Sequence, residues 1–144
     1  MKEPYRMLTK IVRNMNLKMN SLGEELNSNE KETLRFISKH ENCISSDIVV
    51  YLNVDKALVT RMVNKLIDRG YVVFHYGEDR RKKYLVITPK GLELKLNDQQ
   101  FEIEYYQKLF SPLDEEEKAQ FLYVLEKIYR KSKEMRKNPN EKIR

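Results

Sequence analysis

Apolar residues keep a helical spacing through most of this chain, and one stretch departs from it. Residues 71–76 (YVVFHY) and 82–88 (KKYLVIT) are rich in β-branched and aromatic side chains, and they flank the polar run Gly77-Glu78-Asp79-Arg80-Arg81. That pattern predicts a single β-hairpin with a charged tip. One hairpin set among helices restricts the fold to a mostly α chain with a small β element, an α+β class, in which helices supply nearly all of the core.

The helical segments have readable ends. Over residues 4–22, Leu8, Ile11, Val12, Met15, Met19 and Leu22 recur at three- and four-residue steps, with Lys10, Arg13, Asn14 and Lys18 between them, and Gly23 interrupts the pattern. Asn27 and Glu30 have the spacing of a capping box and open a second helix that runs to about His40. Ser45 is a plausible N-cap for a brief helix through Ile48, Val49 and Leu52, and Asn53 and Val54 form a turn. Asp55 then caps a helix that Gly70 ends. In it Val59, Met62, Val63, Leu66 and Ile67 face the core, and Lys56, Ala57, Thr60, Arg61 and Asn64 share the opposite face. Past the hairpin, Thr88-Pro89 starts a helix of about twenty residues striped with Leu92, Leu96, Ile103, Tyr106 and Phe110, which Ser111-Pro112 breaks. Asp114 and Glu117 cap a last helix, whose stripe of Phe121, Leu122, Leu125, Ile128 and Tyr129 fades into a basic tail after about Arg136.

A short helix, a tight turn, a second helix with a polar face and a hairpin with a cationic tip follow one another in the order of a winged helix-turn-helix. The charge distribution agrees. The 144 residues carry a net charge of +6, and residues 53–90 hold nine Lys or Arg against four Asp or Glu, a local net charge of +5. Such a surface fits a polyanionic partner. A helix is narrow enough for the major groove, where Lys56, Thr60, Arg61 and Asn64 reach base edges or phosphates and Ala57 meets a thymine methyl. Ser45, Ser46 and Lys65 extend that set. Arg80, Arg81, Lys82 and Lys83 at the wing suit the negative potential of a narrow minor groove, and Asp79 is placed to hold one of the arginines by a charge-assisted hydrogen bond.

The ordered motifs Asp55-Lys56-Ala57-Leu58-Val59-Thr60-Arg61, Leu66-Ile67-Asp68-Arg69-Gly70-Tyr71, Glu78-Asp79-Arg80-Arg81 and Ile87-Thr88-Pro89-Lys90-Gly91 resemble those of the multiple-antibiotic-resistance regulator (MarR) family. The resemblance is specific from about residue 26 to residue 91. It implies an obligate homodimer whose first and last two helices interdigitate, bound to a pseudo-palindromic operator in double-stranded DNA, usually as a repressor. It also implies major-groove reading by the face from Lys56 to Asn64, minor-groove insertion of Arg81 and positioning of that arginine by Asp79. Ala57 departs from the hydroxyl residue common at its position.

The expected organisation is therefore an N-terminal dimerisation helix over residues 1–25, a winged helix-turn-helix over 26–90, C-terminal dimerisation helices over 91–137 and a flexible basic tail over 138–144. A small lipophilic or phenolic effector, as the family often binds, has candidate contacts in Tyr5, Met15, Met19, Phe36 and Tyr106, and the same residues suit plain core packing equally well. No cofactor, metal site or catalytic residue is expected: His40 and His75 stand apart, and the acids over 114–117 sit in a helix's first turn, where its dipole favours them. Cys43 is read as a partly buried structural thiol, with redox sensing as the alternative. With one cysteine, no signal-type leader and no apolar run near 20 residues, the expectation is a cytoplasmic protein with no membrane partner. A competing reading keeps the winged fold but assigns it to protein docking without DNA.

Overall fold

Side-chain caps and three left-handed residues, Asn42, Asn53 and Gly70, mark breaks between the elements. The computed structural model describes residues 3–21 and 25–138. Its order is α1 (Pro4–Ser21), α2 (Ser28–Lys39), α3 (Ser45–Leu52), α4 (Lys56–Asp68), β1 (Val72–Tyr76), β2 (Lys83–Ile87), α5 (Pro89–Leu109) and α6 (Glu115–Lys137). Among the described residues the fold is thus six helices and one antiparallel hairpin, the mostly α class expected. Leu22, Gly23 and residues 139–144, which the sequence reading assigns to the end of the first stripe, its break and the tail, lie outside the described residues.

The capping boxes form as their spacing predicts. Asn27 Oδ1 accepts from the Glu30 N–H and Glu30 Oε1 from the Asn27 N–H, both at 2.9 Å, and Asp114 and Glu117 exchange the same pair of bonds. Asp55 Oδ1 accepts from the Leu58 N–H at 2.7 Å and starts α4. Ser45 is a correction. The N-cap of α3 is Ile44, in extended conformation, and Ser45 is the first helical residue. The carboxylate of Asp47 accepts from the Ile44 N–H at 3.0 Å, the reach-back half of a capping box, while the N-cap itself makes no side-chain cap bond. Asn53, with φ of 53°, ends α3 in the left-handed region that asparagine tolerates.

At the far end of α4, Gly70 has φ of 79°. Its N–H donates to the Ile67 carbonyl and the Tyr71 N–H to the Leu66 carbonyl, both at 2.9 Å. These paired bonds are a Schellman closure, which turns the chain from α4 directly into β1. In the hairpin Val72 pairs with Ile87 and Tyr76 with Lys83. The Leu85 N–H also donates to the Cys43 carbonyl at 2.7 Å, adding a one-residue rung between the segment before α3 and β2.

The chain divides into two compact units, Met1–Asp98 and Gln99–Arg144, with the division inside α5. In the first, Leu34 and Ile37 of α2, Ile48 of α3, and Val59, Met62, Val63 and Leu66 of α4 pack with Val72 and Leu85 of the hairpin. Val59, Ile48 and Leu66 are wholly inaccessible. Ile67, expected in the core, is only partly buried at its margin. In the second unit Phe110 packs against Phe121 with ring centroids 5.5 Å apart. No residue of α6 is buried.

Candidate nucleic-acid interface

Because the core takes one side of α4, the helical repeat sends Lys56, Ala57, Thr60, Arg61 and Asn64 to the other, and all five are exposed. Thr60 Oγ1 donates to the Lys56 carbonyl at 3.0 Å, which holds its methyl and hydroxyl in a fixed rotamer on the open face. Ser46 is exposed and Ser45 half-buried at the start of α3. Lys65 does not join them. Its Nζ sits 2.9 Å from the Glu30 carboxylate and 3.2 Å from the Glu25 carbonyl, so its charge is engaged within the protein.

The hairpin tip carries the second cationic group. Asp79 Oδ1 accepts from the Arg81 N–H at 3.1 Å and lies 3.6 Å from Arg81 Nε, while the Lys82 N–H donates to the Asp79 carbonyl at 3.1 Å. One aspartate therefore closes the turn and lies against the guanidinium at its tip. The Arg81 side chain is 95% exposed. Arg80, Lys82 and Lys83 are exposed as well, with Lys83 Nζ over the Phe74 ring, 5.3 Å from its centroid. Two exposed cationic surfaces, one on a helix and one on an adjoining hairpin, match the two grooves of a duplex in chemistry.

The other expected sites fall elsewhere. Tyr5 is exposed, Met15 half-buried and Met19 buried on α1, and Phe36 of α2 stacks on His40 and tilts against Tyr51. Tyr106 belongs to the second unit, where it stacks on Phe110 and lines a groove with Ile103, Gln107 and Lys118. Cys43 is more enclosed than expected, at 2% exposure, and burial together with nearby Asp47 pushes its thiol up to about 11. Among the described residues, no group of three or more His, Cys, Asp or Glu is placed to hold a metal ion, and no helix is long and apolar enough to cross a membrane.

Sequence reading missed a polar cluster at the C-terminal end of α4. The Arg69 guanidinium pairs with the Glu25 carboxylate, the Tyr71 hydroxyl donates to the same carboxylate, and Lys90 Nζ donates to the Arg69 carbonyl at 2.8 Å. These bonds hold the Glu25 carboxyl below the usual carboxylate range, the tyrosine contributing most and the arginine next. Partners separated by 44 and 46 positions leave no periodic or local signature in a sequence.

Comparison with known proteins agrees with this geometry. The MarR family model matches residues 25–82. A putative transcriptional regulatory protein for the hcr operon of Thauera aromatica is 26% identical over 109 residues, which cover 75% of this chain and 66% of that protein. The HTH-type transcriptional regulator BilQ of Clostridium symbiosum is 30% identical over 94 residues, 65% of each chain. The chain thus spans just under two thirds of the length of these curated relatives. The crystal structure of Streptococcus pneumoniae FabT in complex with DNA superposes with a TM-score of 0.78 at 26% identity, covering 91% of this chain and 96% of that one. The family match lies on the winged helix-turn-helix, and the shared fold extends over nine-tenths of the residues, so this chain is similar to MarR-family regulators in both sequence and fold.

Proposed function

We infer that the protein is a sequence-specific, double-stranded DNA-binding transcriptional regulator that acts as a homodimer on a pseudo-palindromic operator. The observation that carries this reading is the α4 face, where Lys56, Ala57, Thr60, Arg61 and Asn64 are all exposed while Val59, Met62, Val63 and Leu66 behind them anchor the helix in the core. The wing adds Arg80 and Arg81 as the minor-groove element, with Asp79 as the residue that orients Arg81. Dimerisation is supported by exposed apolar side chains among the described residues, Tyr5, Leu8, Ile11 and Val12 on α1 and Leu122, Ile128 and Tyr129 on α6. The repressor sense and a cytoplasmic location follow from the family resemblance. Control by a small lipophilic or phenolic effector is part of the same reading, and such a ligand regulates only as far as it binds the two arrangements of the dimer unequally.

Selection of bound sequences from a random duplex pool by the purified protein tests this directly. Enrichment of an inverted repeat with half-sites one helical turn apart, roughly 10 base pairs, is the expected result. A pool that shows no enrichment removes sequence-specific DNA reading and favours protein docking.

A further inference from the structure

Lys65 of α4 and Arg69, which caps the C-terminal end of that helix, turn away from its open face toward α2 and the segment before it. Lys65 Nζ lies 2.9 Å from both carboxylate oxygens of Glu30, which is 4% exposed, and one turn later Arg69 pairs with Glu25. The remaining oxygen of Glu25 accepts from the Tyr71 hydroxyl, at the entrance to β1. From the other side, Lys90 Nζ caps the Arg69 carbonyl and lies 5.1 Å from the Tyr71 ring centroid, and Thr88 Oγ1 donates to the Gly70 carbonyl at 2.6 Å. The segment before α2, the end of α4, the entrance to β1 and the start of α5 therefore meet at one carboxylate and the helix end beside it.

As a source of stability this ion pair is weak. Glu25 and Arg69 are 38% and 45% exposed, and exposed pairs contribute little once water screens them. Its mechanical leverage is larger. The 13 residues of α4 span about 20 Å, so a tilt of roughly 5° about the C-terminal end moves the N-terminal end by about 2 Å. A hydrogen bond to a base edge tolerates only a few tenths of that.

We propose that Glu25 is a positioning residue for DNA recognition: through Arg69 and Tyr71 it fixes how α4 lies on α2, and so the register of Lys56, Thr60, Arg61 and Asn64 in the groove, without touching DNA. The proposal rests on the DNA-reading function above. Its test is a double-mutant cycle with Glu25→Gln, Arg69→Gln and the pair, in the full chain, reading the ratio of affinities for the selected operator and a scrambled duplex at one salt concentration, alongside Tm. Tyr71→Phe, which deletes one hydroxyl, serves as a milder second variant. Glu25→Gln is expected to lower the discrimination ratio roughly fivefold, the double variant to lower it no further, and Tyr71→Phe to lower it in the same direction. A variant that lowers Tm while retaining the wild-type ratio overturns the proposal and leaves the cluster a purely structural one. A wild type with no sequence preference is a different failure, since it removes the DNA-reading function itself and this inference with it.

Discussion

The Arg81 guanidinium stands almost fully exposed at the tip of a turn that Asp79 closes from both its side chain and its carbonyl. Such an arginine gains little inside the protein, and its expected effect lies in binding. Arg81→Ala is predicted to weaken binding to every duplex and to make the dependence of log affinity on log salt shallower by about one unit, since one fewer counterion is displaced; titrations at several salt concentrations read both, and an unchanged slope places the side chain off the DNA. Cys43 is the opposite case. A thiol 2% exposed and pushed up to about 11 stays protonated at neutral pH, so the native protein should resist alkylation that the unfolded chain accepts, and mild oxidant should leave DNA affinity unchanged. Rapid labelling of native protein, followed by mass spectrometry, contradicts this. At this scale the open face of α4 was readable from helical spacing alone, whereas the withdrawal of Lys65 from it was not. Its partner Glu30 is 35 positions away, and spacing carries no information about such a pair.

Elements came out of local chemistry with their boundaries nearly intact, because most helix starts here have a side chain that accepts a backbone N–H. At α3 residue type misleads: Ser45 suits a cap, but the N-cap is Ile44, and the side-chain bond there is the Asp47 carboxylate accepting the Ile44 N–H. Gly91 shows the limit of propensity. Alanine favours a helix over glycine by about 1 kcal/mol, yet a Cβ at Gly91 falls 2.2 Å from the Tyr71 carbonyl oxygen, which already accepts from the Thr88 N–H at 3.0 Å. The clash is with backbone and decides the sign. Gly91→Ala is predicted to destabilise by about 1–3 kcal/mol, read as a fall in the denaturation midpoint; a rise shows that α5 shifts freely on β1. The Glu25 cluster adds a pH dependence. Its carboxyl lies below the ordinary value of 4.5 in the folded state, so its contribution is complete above that value and is lost as pH falls through the lowered one. Glu25→Gln should accordingly flatten the acid limb of Tm against pH and leave the limb above pH 6 parallel to wild type; an unchanged acid limb means that the carboxylate gains nothing on folding.

At the scale of the whole molecule, the class of fold and the placement of the wing followed from one break in helical periodicity, at residues 71–88. What covers the helices did not follow in the same way. The stripes of α1 and α6 read identically whether they meet their own chain or a second copy; in the structure no residue of α6 is buried, although Phe121, Leu122, Leu125, Ile128 and Tyr129 repeat along it. A second copy that covers these stripes also sets the spacing of two α4 helices, which turns a property of dimer packing into a property of the DNA site. The measurement that bears most directly on DNA reading by a symmetric dimer is a base-by-base affinity profile of the selected operator, taken for wild type and for Arg61→Ala. Loss of discrimination at two positions related by the operator's two-fold axis, at about 1–3 kcal/mol each, is the expected result. A uniform loss across all positions, or a change at one unpaired position, contradicts it.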